Sequence, residues 1–162
     1  MPTNFLQATP GTSAGYLGSG PVTIISSELT GLVNGATVTS AATYTSTGSF
    51  SQALWSDIFV HWGGSITPSV GGYVAGWFLR SPDGGGSFET TAATLALPRS
   101  PDFIIPLSTL AYASSGVAFG SGIARLPFSP CKIYIQNNSG ATFPSSASAY
   151  TYIGLGPDAV QY

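Results

Sequence analysis

Few residues in this chain could do covalent chemistry, and their spacing limits what that chemistry could be. Residues 11–15 read Gly-Thr-Ser-Ala-Gly, the Gly-x-Ser-x-Gly pattern of a serine nucleophile. That motif works when a strand delivers the serine to a sharp turn and a helix follows. Residues 1–21 are broken by Gly, Pro, Ser and Thr and offer neither. The sole histidine, His61, would have to be the base, with Asp57 four residues before it in a strand-like run. At about 3.3 Å per strand residue the two stand about 13 Å apart, too far for a hydrogen-bonded pair. One histidine and one cysteine leave no nitrogen/sulfur set for a metal. Cys131 lies between Pro130 and Lys132 and cannot close an intramolecular disulfide. It reads as a small buried hydrophobe, not a reactive thiol.

Asp83 and Glu89 flank a triglycine and loosely resemble an oxygen-lined calcium loop, without the dense acidic spacing such a loop needs. They could also serve as a glycosidase carboxylate pair, but nothing in a glycine-rich loop holds them at a set separation. Residues 80–89 are therefore expected to form an exposed hairpin tip. Its glycines make it flexible, and Arg80, Asp83 and Glu89 make it charged enough to contact a neighbouring protein. Tyr44, Trp55, Trp62, Tyr73 and Trp77 could line a sugar-binding face, although aromatics in strands are more often core. Trp62 and Trp77 sit in the most apolar runs. Asn137-Asn138-Ser139 fits the glycosylation tripeptide, a pattern too common to carry weight. No catalytic constellation emerges, and no cofactor is implied.

The elements around these residues are strands. Residues 73–80 alternate Tyr73, Ala75, Trp77 and Leu79 on one face with Val74, Gly76, Phe78 and Arg80 on the other. Neither face is polar before Arg80, so both are expected to be covered. Ser81-Pro82-Asp83-Gly84 has the chemistry of a reversing turn, with Phe88 starting a return strand. Residues 50–62 form a second long strand candidate, alternating likewise from Ala53 to Trp62. The Gly/Pro loop between the two runs predicts a central antiparallel pair. Asn34-Gly35 predicts a hairpin between 29–33 and 36–39. Further strands are expected at 22–27, 88–97, 102–107 with Pro106 at an edge, 117–125 bent at Gly120 and Gly122, 132–136 and 148–155. Residues 41–49 read as loop or exposed edge, and 114–116 and 137–140 as turns. No stretch carries a helical apolar period. The fold class is all-β: an antiparallel, jelly-roll-like β-sandwich over residues 22–162, preceded by an extended arm over 1–21.

Length and charge set the remaining bounds. The 162 residues suit one domain, with a radius of gyration of roughly 15 Å. Only 6% of residues are charged, against about 25% in ordinary soluble domains. Surface charge normally keeps monomers apart, so a neutral, hydroxyl-rich coat is expected to sit against other protein. Arg80, Arg99, Arg125 and Lys132 are dispersed and the net charge is −2, which excludes nucleic-acid binding by phosphate neutralisation. No run approaches the ~20 apolar residues of a membrane helix. The first residues lack the basic and apolar regions of a signal peptide.

Three stretches carry a resemblance. They are the alternating run 53–62, the strand and turn Gly72-Tyr-Val-Ala-Gly-Trp-Phe-Leu-Arg-Ser-Pro-Asp-Gly84, and the proline-led Leu126-Pro-Phe-Ser-Pro-Cys-Lys-Ile-Tyr-Ile-Gln-Asn-Asn-Ser-Gly140. Their order resembles small structural proteins of tailed bacteriophages. The chain departs in its long Gly/Pro-rich start and its triglycine. The resemblance implies a jelly-roll sandwich built into a virion. That would be a decoration or cement protein on the capsid exterior, bound to the major capsid protein, often trimeric and assembled in the host cytoplasm. In that setting Thr3, Asn4, Phe5, Leu6 and Tyr16 of the arm would touch the shell, and Arg80, Asp83 and Glu89 would add polar contacts. A carbohydrate- or receptor-binding module of the tail is the second expectation, and it requires an exposed aromatic platform at Trp55 or Trp62.

Overall fold

Alternating apolar residues put one side of each strand into a shared interior, and two sheets close over it. A computed structural model describes residues 22–44, 55–89, 99–125, 127, 129–145 and 152–156. The strands are β1 Val22–Ile25, β2 Thr37–Thr39, β3 Trp55–His61, β4 Tyr73–Arg80, β5 Phe103–Pro106, β6 Val117–Arg125, β7 Cys131–Asn138 and β8 Tyr152–Gly156. They form two antiparallel four-stranded sheets, ordered β1-β8-β3-β6 and β2-β7-β4-β5. The expected all-β sandwich is the fold. A 3-10 turn at Ser27–Leu29 is the helical element among the described residues.

The pairing has a simple rule. β1 pairs with β8, β2 with β7, β3 with β6 and β4 with β5. The chain is thus a long two-stranded ribbon, outward through β4 and back through β8. Rolling it up adds the β3–β8 and β4–β7 contacts that complete the sheets.

Ile58, Val60 and Trp62 face inward from one layer, and Val74, Phe78, Ile133 and Ile135 from the other. Trp62 is fully buried and meets Phe143 edge-on at 5.2 Å. Phe103 lies across Gly76, where a Cβ would sit 1.9 Å from Phe103 Cζ. β4 is buried on both faces from Val74 to Leu79, as its composition predicts. The bend in β6 is also present. A two-residue step on β3, Asp57 to Phe59, faces a four-residue step on β6, Ile123 to Phe119, across Gly120 and Gly122. β5 is an edge strand, with Pro106 opposite Tyr73.

Pairing differs from the sequence reading in three places. β3 and β4 are not a pair but lie in opposite sheets. The link between them crosses layers: Ile66 bridges Tyr112, and Ser69 N–H donates to Ser139 O at 2.8 Å. Phe88 starts no strand, because β5 and β7 already occupy both edges of β4. Asn34-Gly35 makes a tight turn, with Ala36 N–H donating to Val33 O at 3.1 Å and Gly35 at φ +81°. Only its outgoing arm, β2, is a strand, and it pairs with β7. The incoming arm instead buries Leu29 from the 3-10 turn. Asn137 and Asn138 finish β7, so the following turn starts at Ser139. The 1–21 arm, and residues 45–49, 90–97 and 148–151 of the expected loop and strands, lie outside the described residues.

The Gly76–Phe103 contact generates a test. Gly76→Ala should cost about 2–3 kcal/mol by overpacking, lowering the midpoint of thermal unfolding by roughly 5–10 °C. Far-UV circular dichroism would measure it, and an unchanged midpoint would show that β4 and β5 do not pack this closely.

Candidate functional site

The outward face of β4 carries the most elaborate polar arrangement in the described structure. Ala75, Trp77 and Leu79 join Tyr134 of β7 in a second apolar cluster, with Phe88 packed against it. Trp77 and Tyr134 rings are 5.6 Å apart, and Lys132 Nζ stands 5.3 Å from the centre of the Phe88 ring. Residues 99–102 lie along the margin of this cluster. Trp77 Nε1 donates to Arg99 O at 3.1 Å.

The Arg99 guanidinium gathers acceptors from three segments. Nη1 donates to Asp102 Oδ2 at 2.7 Å, and Nη2 donates to Phe78 O at 2.9 Å and to Glu89 Oε2 at 3.1 Å. Asp102 Oδ2 also accepts from Phe78 N–H at 2.7 Å. β4–β5 pairing stops at Gly76, and the carboxylate takes over the edge of β4 where β5 ends. Burial works against the charge on Arg99, but the bonds to Asp102 and Glu89 outweigh it and raise its pKa.

Residues 80–89 differ from the flexible hairpin tip read from the glycines. The loop closes on itself, with Glu89 N–H donating to Arg80 O at 3.0 Å and Arg80 N–H to Glu89 Oε2 at 3.3 Å. Inside it the chain winds around one carboxylate. Asp83 Oδ1 accepts from Ser81 Oγ at 2.7 Å, Gly86 N–H at 2.9 Å and Ser87 N–H at 2.8 Å, and Oδ2 accepts from Ser87 Oγ at 2.7 Å. Gly84 and Gly85, at φ +78° and +116°, supply the left-handed backbone this path needs. These bonds, the Ser87 hydroxyl first, hold the Asp83 carboxyl well below the usual carboxylate range.

Of the expected partner-binding residues, Arg80 and Glu89 come together, while Asp83 turns into its own loop. Thr3, Asn4, Phe5, Leu6, Tyr16 and the 11–15 motif lie outside the described residues. Arg99 and Asp102 do not stand out in the sequence, where Pro98-Arg99-Ser100-Pro101 has the composition of a turn or extended connector. Their three-residue spacing in a charge-poor chain was the available signal. A recess of about 430 Å³ lies between Arg80, Pro82, Phe88 and Ser129, and a groove of about 580 Å³ between Tyr73, Trp77, Ile104 and Pro106.

The remaining chemical candidates resolve structurally. Among the described residues no group of three or more His, Cys, Asp or Glu could hold a metal ion. Cys131 is fully buried, and burial pushes its thiol up to about 12. Asn137 is also fully buried, its Nδ2 donating to Leu32 O and Ala141 O at 2.8 Å each, so the glycosylation tripeptide is closed off. Trp62 is 0% and Trp77 3% exposed, so neither is a sugar platform. No family model, curated protein or solved structure matches the chain.

Asp83→Ala should speed amide exchange at Gly86 and Ser87 by roughly tenfold or more while the global midpoint barely moves. The folded carboxyl lies below its ordinary value of 3.8. The latch is therefore in force above the ordinary carboxylate range and is lost only as pH falls through the depressed folded value. Protection of both amides, corrected for intrinsic rate, should hold from about pH 7 to about pH 4. Loss of protection near the ordinary carboxylate value would refute the latch.

Proposed function

We propose that this chain is a non-enzymatic structural protein of a bacteriophage virion. It would decorate the capsid exterior, binding and stabilising the shell of major capsid protein as a homo-oligomer, with a trimer as the expected order. The observation that carries this reading is the ribbon pairing. Strands paired one with eight, two with seven, three with six and four with five, rolled into two sheets, support reading the sandwich as a jelly roll. That architecture serves viral capsid and lectin domains. It agrees with the phage resemblance of residues 53–62, 72–84 and 126–140.

The polar groups favour a structural role over catalysis. Glu89 and Asp102 are committed to Arg99, and Asp83 to the backbone and hydroxyls of its loop. Glu89 and Asp83 therefore shape the 80–89 loop, leaving Arg80 as its outward contact. The arm residues Thr3, Asn4, Phe5, Leu6 and Tyr16 would supply the main shell contact. Many weak contacts repeated over a shell add up through effective concentration. Burial of Trp62 removes one of the two platforms the carbohydrate- or receptor-binding alternative requires, and the Trp55 side chain lies outside those described.

Undecorated shells mixed with a variant lacking residues 2–16 provide the test. Wild-type protein should sediment with the shells and the truncated protein should stay in the supernatant. Full retention of the truncated protein would overturn the arm's role, and failure of the wild type to bind any shell would overturn the capsid reading.

A further inference from the structure

Charge and exposed apolar surface are segregated along the length of the sandwich. One end is where β3 finishes and β4 begins, and the other is where β4 finishes and β7 begins. Among the described residues every Asp, Glu, Lys and Arg except Glu28 belongs to the second half. Arg80 and Lys132 lie at that end of β4 and β7, and Asp57 and Arg125 at that end of β3 and β6. Asp83, Glu89, Arg99 and Asp102 form the cluster beside them. Glu28, in the β1–β2 connection, spans the two halves: Oε2 accepts from Ser26 N–H at 3.4 Å and Ser27 Oγ at 3.2 Å, and Oε1 from Ala41 N–H at 2.8 Å. Ala41 lies beyond Ser40, which bonds Ile133, already past the middle of β7.

The first half is poor in charge, and large apolar side chains project among its exposed Ser and Thr residues. Val70 is 91% exposed, Leu110 75%, Phe119 61% and Val33 56%. Tyr73, Ile104 and Val117, the other large exposed hydrophobics among the described residues, fall in the same half. Its loops are tied to one another. Ser69 N–H donates to Ser139 O at 2.8 Å, Leu107 N–H to Gly72 O at 2.9 Å, and Gly140 N–H to Asn34 Oδ1 at 2.7 Å. Gly140 sits so close to Ser69 that a Cβ would lie 2.0 Å from its Oγ. A surface held this way loses little freedom on binding.

We infer that this neutral end is a self-association surface, in which Val70 and Leu110 of one copy pack into the groove beside Tyr73, Ile104 and Pro106 of another. The inference rests on the homo-oligomer part of the function proposed above, not on shell binding. The choice of a second copy follows from charge. A charged group from a partner buried against this end would meet no counter-charge and would lose its hydration. The same end of another copy brings no such group. It offers projecting tips and an apolar recess together, as a ring-closing contact between copies requires. Arg99 lines the far end of the groove, where Glu89 and Asp102 already pair it. The charged halves remain in water.

Sedimentation velocity of the full chain tests the inference. The wild type should be oligomeric at micromolar concentration, with a mass that does not change between about 0.05 and about 1 M NaCl. The double variant Val70→Asp/Leu110→Asp should raise the dissociation constant by at least roughly a hundredfold, because it buries unpaired charge. Both side chains project from turns, so circular dichroism should report an unchanged fold, and Arg80→Ser should leave the mass unaltered. A monomeric wild type would overturn self-association itself while leaving shell binding open to its own assay. An oligomer that survives the double variant would overturn this surface alone. Flotation of the wild type with phosphatidylcholine vesicles, lost in the double variant, would overturn it in favour of a lipid partner.

Discussion

The structure depends on a strand that has no free face. β4 is buried from Val74 to Leu79 on both sides, yet a two-layer sandwich covers only one. The inner side meets the opposite sheet in the ordinary way. The outer side, with Trp77 and Leu79, needs a cover the sheets cannot provide. Phe88 and residues 99–102 provide it, and Arg99 fastens them. Its guanidinium holds Phe78 O, Glu89 and Asp102 at once, while Asp102 satisfies the Phe78 N–H beyond the end of β5. An isolated ion pair on an open surface contributes little. This one differs because it is partly buried and completes a backbone edge. Removing Arg99 would leave a carbonyl without its donor and two carboxylates side by side.

The 80–89 loop follows from the same constraint. It must leave β4 at Arg80, bring Phe88 back against the outer apolar cluster and Glu89 back to Arg80 and Arg99. Three successive glycines would leave that path loose. The Asp83 carboxylate replaces the missing order with bonds to Ser81, Gly86 and Ser87. Charge in this protein is therefore mostly structural. Arg99, Asp102, Glu89 and Asp83 hold an irregular cover in place.

The legible parts of the fold were those governed by local geometry. Alternation in β3, β4 and β7, the bend at Gly120 and Gly122, and the edge position of Pro106 all follow from period-two side chains and from glycine and proline stereochemistry. Partnership between strands did not follow. β4 takes its neighbours from β5 and β7, far along the chain, and its sequence neighbour β3 goes to the other sheet. Nothing in the apolar pattern of 53–80 distinguishes a hairpin from a crossover, since both present the same faces. The site was obscured for a related reason. Glycine content in 84–86 signals freedom, whereas the restraint comes from Ser81 and Ser87 side chains, whose bonding depends on where the backbone folds. Arg99 reaches Phe78 across twenty-one residues, and only the tertiary fold brings them together.

The segregation of charge has a topological origin. When strand k pairs with strand nine minus k in an antiparallel ribbon, alternate connections fall at opposite ends. The β1–β2, β3–β4, β5–β6 and β7–β8 connections share one end. The β2–β3, β4–β5 and β6–β7 connections share the other with Val22, where the chain enters β1, and Gly156, where β8 stops. The ribbon also sets the β1–β2 connection beside β7–β8, and β3–β4 beside β5–β6. These are the neighbours that Asn34 and Gly140, and Gly72 and Leu107, tie together. Charge placed in the β4–β5 connection must therefore lie at the end where the chain enters the domain. An arm preceding Val22 is attached at that end too. On the readings proposed above, the arm would join the sandwich at the end opposite the copy-to-copy contact.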